Sequence, residues 1–448
     1  MSYSSTGNKP FEHASRTSHS YVINDDEVKS FLNQCELSKL KEEIEYNYEN
    51  ELIEIQEQHD EISHIVAIDG GYQEITVRKN YPSALLAFFQ FGALFFDLKH
   101  LDCLASKPFI FPEDMAKFKE LERIKLVLPT KHIPYKKNNS LTYSVRLALY
   151  DFFMEVRDGR RYMDSLYWFI FEEYFQPIAN YKLGSNPNGN SSIILEKDKM
   201  NPSTFTFKDE TGENIFLTDV FRLHEAIDDE LGAGGILGYV ATLVEQVILI
   251  HNMKFLLDKQ PTLLKSIMFI KDGPLAFFGQ TANMHKPMRK LCNYLIENHD
   301  LFLVGIEKSG VFVEHAQEIC SEINGYSRIK PGQAFLLNND YIYKYILPGD
   351  AQKTTYGNTS YYGGKIIYKA NNESVYVVTL PVKNSDIIKK PQRSDFKNLD
   401  TVLSTLEKLK CAMYENSLVP IALANQLVSL ANHPSAVLLE KFAKSNIK

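Results

Sequence analysis

The chain has 448 residues, 44% hydrophobic and 12% aromatic, and a net charge of -7. That length and apolar content predict a substantial core, in two domains or in one domain with a large insertion, and exclude a mostly disordered chain. The acidic balance excludes a global basic field for nucleic acid, so such a contact has to come from local patches or from a partner that delivers the strand.

Residues 1–24 are polar, lack an apolar signal core and are expected to form a flexible tail. Residues 25–62 are rich in Glu, Lys, Leu and Ile and read as a helical segment. "HIVAIDGGYQEITVRK" predicts two short strands around Gly70 and Gly71, and "SALLAFFQFGALFF" predicts a third, together an antiparallel meander. Residues 100–234 are expected to be a mainly helical insertion. Its clearest signal is Ser140 to Phe175, where apolar residues recur every three or four positions. "KLGSNPNGNSS" (Lys182 to Ser192) is a loop by composition.

After "LGAGG" (Leu231 to Gly235) a long helix is predicted, then the strand "SIMFIKDG". A helix, the strand "LFLVGIEKSG" and another helix follow. "GKIIYKANNESVYVVTLPV" predicts a hairpin turning at Asn371 and Asn372, two helices close the fold, and 433–448 form a tail. A meander followed by alternating helices and strands predicts an α/β fold: a ribonuclease H-like mixed sheet flanked by helices, with its core at 63–99 and 235–432. No run reaches membrane-spanning length, so no membrane partner is expected. The five cysteines, Cys35, Cys103, Cys292, Cys320 and Cys411, show no CxxC spacing. Structural zinc and a disulfide framework are excluded, and a reducing cytoplasm fits.

Two acids stand out. Asp69 closes the apolar run "HIVAID" and Asp272 closes "MFIKD", each followed by glycine. An ionised carboxylate is costly in an apolar core, but at a strand end it can face a cleft and bind a cation. Magnesium and manganese prefer such oxygen ligands, and a pair of these ions can promote phosphodiester hydrolysis. Asp-Gly is also an ordinary turn signal. In the predicted fold the two strands are neighbours, which favours metal binding. Glu245, among Leu243, Val244, Val247 and Ile248 on the long helix, is the expected third acid, with Glu225 as competitor. Lys308 ends the "LFLVGIEK" strand and is expected to hold a phosphate or orient water. "SYYGGK" offers Tyr361, Tyr362 and Lys365 for stacking and backbone contact with DNA. Lys136 in "KHIPYKK" and Arg160 in "RDGRR" are candidate phosphate guides. There is no GxxxxGK[ST] loop, no GxSxG elbow and no HExxH. "GAGGILG" (Gly232 to Gly238) follows a charged segment where a dinucleotide fingerprint requires a strand.

These motifs resemble those of the NurA nucleases. "IVAIDGG" is similar to that family's first acidic motif, "MFIKDGPL" to its later Asp-Gly motif, and "VGIEKSG" to its Gly-x-x-Lys strand end. "VPIALANQLVSL" (Val419 to Leu430) resembles its C-terminal motif, so the resemblance spans about residues 64 to 432. It implies a Mn2+- or Mg2+-dependent, two-metal DNA nuclease. It also implies a homodimer docked on a HerA-like hexameric ATPase, in DNA end processing, repair or anti-phage defence. By residue it implies metal binding at Asp69 and Asp272, with Glu245 matched by position and Lys308 by the lysine motif. The chain departs from the family where Asn425 stands in place of a histidine and Ser417 near a tyrosine position. Asn425 then becomes the fourth expected ligand, one that cannot carry a proton near neutral pH. The alternative is a catalytically weak ribonuclease H-like module that binds the ATPase or nucleic acid.

Overall fold

The structure is a computed structural model and describes residues 16–35, 43–48, 51–57, 61–79, 82–99, 101, 119–137, 140–189, 191–322, 327–411, 417–430 and 435–447. Cys103, His433 and most of 100–118 lie outside the described residues. Two short helices, α1 (Arg16–Ile23) and α2 (Asp26–Asn33), begin the described chain. Asp25 caps α2 by accepting from the Glu27 and Val28 amides, and α1 makes part of the expected tail helical. Among the described residues of the expected N-terminal helical segment, α2 is the α-helix, and the segment also contains strand β1 (Leu52–Glu54).

The next three strands are β2 (His64–Arg78), β3 (Ala84–Asp97) and β4 (Lys119–Lys131), an antiparallel meander. The sequence reading broke β2 at Gly70 and Gly71, but the strand runs through both. Strand β4 falls inside the stretch expected to be a helical insertion. Its signal is a plain alternation: Ile124, Leu126 and Leu128 are buried while Arg123, Lys125 and Val127 are exposed. The helical periodicity downstream masked it.

The remainder of 140–234 holds α3 (Leu141–Met154) and α4 (Tyr162–Ile170). It also holds two small hairpins, β5 (Asn180–Leu183) with β6 (Ile193–Glu196) and β7 (Thr206–Lys208) with β8 (Asn214–Phe216). A buried fork ties it together: Arg146 Nε and Nη2 each donate at 2.8 Å to Asp219. Such a charge-assisted bidentate pair orients both elements, and it leaves neither ion unpaired in the interior.

Helix α5 (Leu237–Lys259) then leads to β9 (Ile267–Asp272), α6 (His285–His299) and β10 (Phe302–Glu307). Helix α7 (Val311–Cys320) and strands β11 (Gln333–Leu336), β12 (Gly363–Lys369) and β13 (Val375–Pro381) follow. Helices α8 (Leu399–Lys408), α9 (Val419–Val428) and α10 (Ser435–Asn446) close the chain, the last within the expected tail. Among the described residues the main sheet has nine strands, in the order β1-β11-β12-β13-β10-β9-β2-β3-β4. The β2–β9 and β9–β10 pairs are parallel and the other neighbours are antiparallel. Helices cover both faces of this mixed sheet, which is why β9 and β10 read as nearly continuous apolar runs.

One core joins Val66, Ile68, Phe91 and Phe269 to α3, α4 and α5. The opposite face joins Ile65, Ala67, Met268 and Ile270 to α8 and α9. Helix α5 is buried on most sides, between the sheet and α4. The helical stretch Gly234–Lys259 has the length and apolar composition of a membrane span, which corrects the expectation that no run does; most of it is buried in the fold. A helix apolar all round belongs in such a central layer.

Candidate active site at the ends of the parallel strands

Strands β2 and β9 pair in parallel from His64 opposite Ile267 to Ile68 opposite Lys271. Beyond that point β2 continues only with β3. Asp69, the next residue of β2, therefore stands beside Asp272, the last residue of β9. Asp69 is not at a strand end, as the sequence reading had it. It stands where the parallel pairing ends, which opens the same cleft. Side chains alternate across a sheet. Asp69 accordingly follows Ile65 and Ala67 toward the α8–α9 face, while Lys271 follows Phe269 toward α5.

Glu245 approaches from α5, on the face of the sheet toward which Lys271 points. It is 7% exposed, and Lys271, 4% exposed, lies with Nζ 3.2 Å from its Oε2. Lys271 also donates to the Asp272 carbonyl. Lys308, just past β10, sets Nζ 2.7 Å from Asp272 Oδ2. Gly70 makes the approach of Glu245 possible. A Cβ there would stand 2.6 Å from Phe91 Cδ1 and 3.1 Å from Glu245 Oε1. The Gly-Pro after Asp272 has a comparable task. Gly273, at φ +80°, donates at 2.7 Å to the Ile306 carbonyl and carries the chain across β10. That crossing needs a bare backbone beneath it, since a Cβ on Gly305 would lie 2.6 Å from Gly273 O.

The electrostatics set this cluster apart. Asp69 is 5% exposed and its pKa is raised to about 8, first by burial, then by the charges of Asp272 and Glu245. Its Oδ1 accepts from the Gly70 amide at 2.8 Å, but its buried Oδ2 has no hydrogen-bond partner. Glu245 is raised to about 7, chiefly by burial, with Lys271 opposing the rise. Acids that repel one another in a dry site favour either a shared proton or a cation. Carboxylate oxygens are the ligand type a hard divalent ion prefers, and the Oδ2 of Asp69 is without a partner. As they stand, two of the acids are closed onto lysines. Among the described residues no three His, Cys, Asp or Glu side chains are gathered tightly enough to hold a metal.

The remaining candidates make other contacts. Asn425 is exposed on α9, and its carbonyl accepts from the Ser429 amide at 3.0 Å. Glu225 pairs with Arg222 at 2.7 Å. Tyr362 is fully buried and donates to Gln246 Oε1 at 2.8 Å. Lys365 is 2% exposed, is paired with Glu307 and lies 4.2 Å over the Phe312 ring. Neither offers its side chain to a strand on the surface, which corrects their assignment as DNA contacts. The reason is that "YYGGK" is the start of interior strand β12 and not a free turn. Tyr361 is half-buried, edge-on to Phe278 and hydrogen bonded to the Tyr356 hydroxyl at 2.9 Å. Lys136 pairs with Asp151 at 2.6 Å. Arg160 lies over the Phe255 ring at 4.2 Å.

Lys271 was missed by the sequence reading, although "FIKDG" carries a signal for it. A lysine inside an otherwise apolar, doubly covered strand has to meet a buried acid.

No protein-family model matches the chain, and no curated protein matches it. Among solved structures it is similar to the NurA nuclease from Sulfolobus solfataricus, at 12% identity and a TM-score of 0.36, over 96% of this chain and 97% of that one. A superposition this loose leaves the architecture to be judged from strand order and register.

Proposed function

We propose that this chain is a metal-dependent nuclease that hydrolyses phosphodiester bonds of DNA on a ribonuclease H-like core. The observation that carries the reading is the register of β2 and β9. It sets Asp69 beside Asp272, with Glu245 close enough to raise the Asp69 pKa and with Oδ2 of Asp69 unpartnered. The strand order supports the architecture: the β2–β3–β4 meander is extended by β9 and β10 parallel to β2. Helix α6 makes the crossover between the last two.

In this reading Asp69, Glu245 and Asp272 would hold Mn2+ or Mg2+. The ion, when bound, would supply an activated water and neutralise developing charge. Burial of the acids keeps bulk water from competing for them. Lys308 holds Asp272 in place and is positioned to exchange that contact for a phosphate oxygen. Lys271 orients Glu245. Asn425 as a further ligand, a homodimer, a HerA-like ATPase partner and a role in end processing, repair or defence all belong to the proposal.

The pairing of Glu245 and Asp272 with lysines favours a second reading, a catalytically weak module that binds nucleic acid or the ATPase. One assay separates the two. Linear DNA is incubated with Mn2+ or Mg2+, with and without the ATPase, comparing wild type with Asp272→Ala. Digestion by wild type alone supports the nuclease. Equal digestion by both proteins rejects the site, and no digestion under any condition supports the binding module.

A further inference from the structure

A cavity of about 250 Å³ opens between β4 and the turn that precedes α4, lined by Arg123, Arg157, Asp158, Arg160, Tyr162 and His251. A second, of about 220 Å³, shares Arg160 and His251 and adds Lys254. The cations here are unequally satisfied. Arg157 is held by Glu155 and by the Phe152 carbonyl at 2.9 Å. Lys254 is paired with Asp258 and Arg161 with Asp164. Arg123 donates at 3.4 Å to the Leu427 carbonyl. Arg160 differs: its Nη1 is buried and has no hydrogen-bond partner. Asp158, the acid on the rim, is exposed and sits in the left-handed region at φ 49°.

The Arg160 guanidinium is nevertheless fixed. It packs flat enough over Phe255 to lie 4.2 Å from the ring centroid. Its backbone is locked by paired hydrogen bonds with Arg157 at 2.8 and 2.9 Å. His251 registers the resulting field. Burial and then the charges of Arg160 and Lys254 lower its pKa to about 4, so it stays neutral beside the cavity. Arg123, Arg157 and Arg160 together line a space larger than a tetrahedral oxyanion, and three guanidinium groups around one cavity suit an anion.

We infer that this cavity is a phosphate-binding subsite with Arg160 as its fork. In a nuclease the phosphate would belong to a nucleic-acid backbone, and that source rests on the function proposed above. The register fits it: Asp69 pairs with Gly92, and Gly92 pairs with Arg123. Two strand spacings put the cavity's edge about 10 Å from Asp69, a span of a few nucleotides.

The test has two arms. First, inorganic phosphate is titrated against chloride at constant ionic strength and the melting temperature is followed. Wild type is expected to rise with phosphate, Arg160→Gln to lose most of that rise, and Arg160→Lys, which keeps charge without the fork, to retain part of it. No rise in wild type, or an unchanged rise in Arg160→Gln, overturns the subsite. The wild-type titration decides even where a variant does not fold. Second, single-stranded DNA binding is measured in EDTA over a range of salt. Arg160→Gln is expected to reduce the slope of log K against log salt by about one. Equal slopes alongside a lost phosphate response overturn the nucleic-acid source and leave a small phosphorylated ligand. Absence of DNA binding by wild type counts against the nuclease reading, while the phosphate arm still decides the subsite.

Discussion

The two ends of the parallel strands invite comparison. At their N-terminal end lies a groove of about 910 Å³, lined by Glu61, Arg393, Lys397 and Asp400 among others. At their C-terminal end lie Asp69, Glu245 and Asp272. In the groove the charges answer one another. Arg393 Nη2 donates to both Asp400 carboxylate oxygens, at 2.5 and 2.6 Å, and Lys397 donates to Asp300 at 2.8 Å. Asp400 also accepts from the Gln56 amide at 2.9 Å, and Glu61 accepts from Thr401 at 3.1 Å. At the acids, two buried carboxylates and the half-buried Asp272 meet two lysines, and one carboxylate oxygen is left over. What marks the acids as the candidate site is their uncompensated burial, which raises the pKa values of Asp69 and Glu245.

The largest effect should come from removing that charge. Asp69→Asn keeps shape and burial, and it is expected to reduce metal-dependent DNA cleavage by more than about 100-fold, beyond the range seen for outer partners of metal ligands. In EDTA at pH 8 the same variant should melt above wild type, since it removes the repelled carboxylate. A lower melting temperature in EDTA would show that Asp69 is a structural acid like those of the groove. Lys271→Gln should cost about 10- to 100-fold in activity by releasing Glu245, with steady-state kinetics as the readout.

The pH response sharpens the contrast further. Asp69 and Glu245 have folded pKa values raised above those of an unfolded chain, to about 8 and about 7. The folded state therefore binds more protons between about pH 4 and pH 8. By linkage the metal-free protein loses stability as pH rises through that window. Thermal melts in EDTA should fall from pH 5 to pH 8, and Mn2+ should reverse the fall at pH 8. A flat profile would mean that the acids are compensated without a cation. The smallest effect belongs to the groove. Asp400→Ala breaks a partly exposed ion pair and one amide contact, at a cost of about 1–2 kcal/mol in denaturant unfolding. Activity should stay within about twofold of wild type.

The sequence was explicit where a residue's neighbours along the chain decide its environment. The apolar runs up to Asp69 and Asp272 read as strands that carry an acid, although Asp-Gly is also a turn signal, and the apolar flanks of Glu245 marked a buried position. The runs either side of Asn371 and Asn372 marked a hairpin, which β12 and β13 form. Tertiary structure decided the rest, because periodicity reports that a face is buried and not what covers it. Only the register of β2 with β9 sets the two aspartates side by side. Only the crossing of α5 over Gly70 brings Glu245 to them, with Lys271 on the same face of the sheet. Lys365 and Tyr362 read as a turn because glycines surround them, but their strand lies in the interior of the sheet. Long-range pairing chooses among placements that the local chain leaves equal, and here it chose which charges are left without a partner.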